Sequence, residues 1–115
     1  MTKQEIFDKV CDHLMTQMEQ SKLPCGELCA YRGENGLSCA VGCLIPDEVY
    51  STEIEWHGVG EPELRPTLKK IGIYRHEKLL HSLQRIHDSH MPTMWRKELK
   101  KLAEDNNLTQ PKSIQ

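Results

Sequence analysis

Apolar positions recur at intervals of three and four near both ends of the chain and crowd together in the middle. Ile6, Phe7, Val10, Cys11, Leu14, Met15 and Met18 make one stripe, with Lys3, Asp8, Lys9, Asp12 and Glu19 on the other side. Thr2 and Glu5 have capping-box spacing, in which each side chain satisfies the other's orphan backbone donor. This pattern predicts a core-packing helix over 2–20. A second stripe, Leu79, Leu80, Leu83, Ile86 and His87, predicts a helix over 75–87, broken at Ser89–Pro92. A third helix starts at Pro92 or Thr93 and runs to about Asp105, with Trp95, Leu99, Leu102 and Ala103 inward. Arg96, Lys97, Lys100 and Lys101 lie on its outer side. Asn106 or Asn107 can take the left-handed C-cap, with Leu108 folding back. Pro66–Lys70 suits a short helix that Gly72 would end.

The middle reads differently. Leu28-Cys29-Ala30-Tyr31 is a short apolar run, Gly33-Glu34-Asn35-Gly36 a tight turn, and Leu37-Ser38-Cys39 a returning arm. This predicts a small hairpin. Cys39–Ile45 is apolar on every side and fits a buried strand or a short buried helix equally. Pro46, Asp47 and Glu48 suit the start of a new turn. The expected fold is α+β and mainly α: three main helices packed around a small central β-hairpin. Its expected core includes Ile6, Phe7, Val10, Leu14, Val41, Leu44, Leu80, Leu83, Ile86, Trp95 and Leu99. Residues 1–108 should form a single globular domain and 109–115 a disordered tail.

The segment from Tyr31 to Tyr50, Y-R-G-E-N-G-L-S-C-A-V-G-C-L-I-P-D-E-V-Y, resembles a family of small phage and prophage proteins. The opening T-K-Q-E-I-F-D, the L-Q-R-I-H-D from Leu83 to Asp88 and the W-x-x-x-L-x-x-L-A from Trp95 to Ala103 extend that resemblance over most of the chain. The resemblance implies origin on a mobile element and action in the bacterial host cytoplasm. It carries over no catalytic residue.

Composition narrows the options. The 115 residues carry a net charge of −2, no apolar run approaches a membrane span, and the amphipathic start does not read as an export signal. Reducing cytoplasm would keep the five cysteines as thiols or metal ligands. Cys25, Cys29, Cys39 and Cys43 could supply a structural zinc site bracketing the hairpin. The three residues inside each pair, however, are not the usual two, and burial as reduced core thiols explains them as well. A variant using His13 or His87 as one ligand stays open. His87-Asp88-x-His90 could form a ligand pair or a carboxylate-held base, although His87 on its apolar stripe suits a hydrogen-bonded core residue better. Only Cys29 has a cation nearby in sequence, Arg32, and no matched acid, base and nucleophile emerges. No catalytic residue is therefore assigned, and no cofactor beyond the optional zinc.

Charge is unevenly spread. Asp47 to Glu63 holds six acids and no Lys or Arg, whereas Arg65 to Lys101 holds ten Lys or Arg against three acids. Two candidate partner surfaces follow. One is the acidic loop with Trp56, Glu53 and Glu55; the other is the basic face of Arg96, Lys97, Lys100 and Lys101. The expected function is that of a non-catalytic phage or prophage accessory protein. It would bind and occlude a host macromolecule, foremost a protein of the defence or nucleic-acid machinery. The alternative is a zinc-stabilised nucleic-acid-binding module.

Overall fold

The computed structural model describes residues 1–23 and 29–115. Among them four α-helices carry the fold: α1 (Lys3–Gln17), α2 (Arg65–Lys70), α3 (Glu77–Ser89) and α4 (Pro92–Asp105). The Thr2–Glu5 capping box forms, with Glu5 N donating to Thr2 Oγ1 at 3.1 Å and Thr2 N donating to Glu5 Oε1 at 2.8 Å. Met18, left-handed at φ 49°, ends α1 at Gln17, three residues short of the expected end at Gln20. Asn107 takes the left-handed position after α4, and Leu108 N donates to Ala103 O at 2.9 Å.

Helices α3 and α4 pack on each other, and α1 lies across both. All eleven expected core residues are buried. Trp95 sits fully buried between the helices, its Nε1 donating to His90 O at 3.1 Å. Its ring stacks on that of His87 at 5.5 Å.

The central β-hairpin does not form. The described residues hold no strand or sheet, only isolated bridges pairing Lys22 with Cys29 and Arg32 with Ser38. The turn itself is present: Asn35 and Gly36 adopt φ 58° and 76°, and Gly33 N donates to Leu37 O. What fails is the ladder, because side chains take the backbone groups it would need. Ser38 N donates to Gln17 Oε1 and Ser38 O accepts Gln17 Nε2, while Tyr31 N and Arg32 N donate to the Glu55 carboxylate. The fold is mainly α.

Cys39–Ile45 resolves as a buried helical turn: Cys43 N donates to Cys39 O and Leu44 N to Val41 O. Gly42 is obligatory there, since a Cβ would stand 2.1 Å from the Tyr31 carbonyl oxygen. Residues 109–115, expected as a disordered tail, run back along α1. Thr109 and Gln4 exchange two hydrogen bonds, and Ile114 in the turn Lys112–Ile114 is fully buried. One apolar residue in a polar stretch has no periodicity to reveal it. No described helix is long and apolar enough to cross a membrane.

Candidate functional site

The loop from Ser51 to Leu64 folds onto the body rather than hanging free. Ser51 Oγ accepts Glu53 N and starts the turn Thr52–Ile54. Ile54, Val59 and Leu64 are buried anchors along the loop. Glu55 is the fourth anchor, and it is polar. Only 7% of it is exposed. Its Oε1 accepts Tyr31 N at 2.9 Å, and its Oε2 accepts Arg32 N at 3.1 Å and the Tyr50 hydroxyl at 2.6 Å. A buried carboxylate persists when donors surround it, and three do so here. Burial and the Glu55 bond push the Tyr50 hydroxyl up to about 12. Glu55 therefore leaves the set of partner-facing residues and becomes the bolt that fixes the loop to the Tyr31 segment.

The next residue pays for that fixation in exposure. Trp56 adopts φ 74° and is 68% exposed. A bulky residue in the left-handed region costs on the order of 1–3 kcal/mol and persists only where its surroundings dictate it. Here the dictating neighbours are Glu55 before it and the Tyr31 hydroxyl after it, which donates to His57 O at 2.7 Å. Trp56, His57 and Gly58 form one wall of a cleft of about 360 Å³. Cys29 and Tyr31, with Gln84 and Asp88 of α3, form the rest. That volume sits at the small end of ligand-pocket sizes.

Cys29, His87 and Asp88 converge, with ligand atoms within 4.8 Å of one another. The triad-like composition is misleading. The Ser21 backbone N–H donates to His87 Nε2 at 2.9 Å, so the proton sits on Nδ1 and goes to Asp88 Oδ1 at 2.7 Å. Both ring nitrogens are engaged, leaving none to deprotonate a thiol or to bind a metal without breaking the Ser21 bond. Burial, followed by the nearby Asp88 charge and hydrogen bond, pushes the Cys29 thiol up to about 12. Arg32 does not offset this: it pairs with Asp47 at 2.8 Å, donates to Ile45 O and lies over the Tyr50 ring. His87 is thus a core histidine, held by Ser21 and Asp88 and stacked on Trp95.

The four-cysteine zinc site is not assembled by the described residues. Cys25 lies outside them. Cys39 is buried and its sulfur accepts Gly42 N, while Cys43 donates to Ala40 O, and neither joins a described ligand cluster. Burial raises both thiols, Cys43 to about 12. The spacing of three, expected to suit simple burial, puts both sulfurs on local backbone partners of one helical turn. His13, the other optional ligand, bonds Ser38 O at 2.9 Å.

Of the partner residues expected from sequence, Trp56 and Glu53 are exposed on the loop. Arg96, Lys97 and Lys101 are exposed on α4, and Lys100 is half-buried. These four line a shallow groove with Thr93 and Glu104. Sequence reasoning missed Tyr31, Tyr50 and Gln84. Tyr31 and Tyr50 bracket the motif, but nothing in their spacing shows that both serve Glu55 and His57. No protein-family model, curated protein or solved structure matches the chain.

Proposed function

We propose that the chain is a non-catalytic accessory protein that occludes a host protein through the face around Trp56. The observation that carries this reading is the exposed, left-handed Trp56 on a loop fixed by Glu55. Large aromatics are favoured interface anchors, and a backbone fixed before binding lowers the ordering cost of contact. Glu53, Glu61 and Glu63 lie exposed in the same loop, and no Lys or Arg falls between Asp47 and Glu63. A basic surface on the partner is the complement, with Arg or Lys able to stack on the indole.

The non-catalytic half of the reading rests on the engaged imidazole of His87 and the raised Cys29 thiol. The host setting, and the choice of a defence or nucleic-acid-machinery protein as partner, rest on the resemblance to small phage and prophage proteins. The test is capture from bacterial lysate with tagged wild type, Trp56→Ala and a Lys97/Lys101 double alanine variant, with and without nuclease. The reading expects a stoichiometric host protein that survives nuclease and is lost with Trp56→Ala. Capture that vanishes with nuclease and with the lysine pair, but survives Trp56→Ala, would move the function to nucleic acid and α4.

A further inference from the structure

We propose that His57, Glu61 and Glu63 form a binding site for one divalent zinc ion. The inference does not rest on the docking role of Trp56, although Glu61 and Glu63 also belong to the acidic face around it. Three ligand atoms converge: His57 Nδ1 lies 3.4 Å from Glu61 Oε1 and 3.7 Å from Glu63 Oε1, and all three lie within 4.8 Å of one another. The 3.4 Å contact is a long hydrogen bond, and the 3.7 Å one lies beyond hydrogen-bond reach. They suit the edge of a metal tetrahedron: with metal–ligand bonds near 2.0–2.1 Å, two ligands at the tetrahedral angle stand roughly 3.4 Å apart. An imidazole among the ligands favours zinc over magnesium, whose sites are built from oxygen.

The ligands are oriented by the fold, as a metal site requires. Glu61 Oε2 accepts Gly58 N–H, which turns Oε1 toward His57. His57 is fixed by the Tyr31 hydroxyl on its carbonyl, and the loop between the ligands closes through Glu61 N donating to Gly58 O at 3.0 Å. Val59 and Leu64 bury the apolar side of the loop. One imidazole and two carboxylates leave a fourth tetrahedral position, the arrangement of zinc sites that accept an outside ligand.

The full chain should be titrated with Zn²⁺ against a chromophoric chelator, alongside His57→Ala, Glu63→Gln and Cys29→Ser. Quenching of indole emission by Co²⁺, with Trp56→Phe as reference, reports where the ion sits. Both ligand side chains altered are partly exposed, so these variants keep the fold, and thermal melting checks this. Expected are one equivalent of Zn²⁺, affinity at least about tenfold weaker in His57→Ala and Glu63→Gln, no change in Cys29→Ser, and Co²⁺ quenching that falls in Trp56→Phe. Failure to bind Zn²⁺, binding that survives His57→Ala, or loss in Cys29→Ser would each overturn the site.

Discussion

Glu55 Oε2 accepts the Tyr50 hydroxyl at 2.6 Å, and the same carboxylate receives the backbone N–H groups of Tyr31 and Arg32. One buried side chain thereby joins both ends of the Tyr31–Tyr50 motif to the acidic loop. Removing it strands two backbone donors and a phenol, each worth about 1–3 kcal/mol when left unmade in the interior. Glu55→Ala should lower stability by at least about 3 kcal/mol, read as the urea midpoint. Glu55→Lys, which composition alone would suggest as a surface test, should unfold the loop instead. A midpoint within error of wild type would contradict the anchoring role.

Gly42 offers a sharper steric test. Its missing Cβ leaves room for the Tyr31 carbonyl, and a methyl group would overlap that oxygen at 2.1 Å. Backbone on both sides cannot rotate away as a side chain could. Gly42→Ala should destabilise by about 3 kcal/mol, the upper range for overpacking a tight core. Gly36→Ala meets no atom within 4 Å but carries φ +76°, so its smaller loss should come from backbone strain alone.

Ile114 should count as core. Ile114→Ala removes a fully buried side chain packed by the C-terminal turn onto α1 and α4. The expected loss is about 2–4 kcal/mol. Truncation after Leu108 should cost at least as much, since it also releases the Gln4–Thr109 pair. Thermal melts of both chains would check this; unchanged melting would restore the tail to a disordered role.

Alkaline pH should destabilise the protein through its thiols. Cys29 and Cys43 are raised from an ordinary 9.0 to about 12 in the fold, by burial first in each case. Above pH 9 the unfolded chain releases these protons while the folded chain keeps them. The unfolded state then binds fewer protons, and stability falls as pH rises from 9 toward 12. Below pH 9 the contribution is fully present. The urea midpoint should drop between about pH 9 and pH 12, and the drop should be smaller in a Cys29→Ser, Cys43→Ser chain.

The helical part of the fold was legible because it is periodic. The stripes of α1, α3 and α4, the Thr2 cap and the Asn107 stop each rest on local rules, and the structure follows them within a few residues. The hairpin was misread although its turn is real. Asn35-Gly36 reports local φ, but a ladder also needs free backbone groups, and Gln17 and Glu55 claim those from 21 and 23–24 residues away. Charge misled in the same way at Glu55: composition marks an acidic residue as surface, and only the fold shows the three donors that bury it. Trp56 was legible as a candidate because a tryptophan in a polar loop is rare enough to stand out. The Cys29–His87 approach was not, since its residues lie 58 apart and meet through packing of the Tyr31 segment on α3.

The most direct test of the docking claim is hydrogen exchange on the complex with the captured host protein. The account predicts new protection across residues 53–63, centred on Trp56, with 93–104 unchanged. Protection confined to 93–104, with the Trp56 loop exchanging as in the free chain, would contradict it.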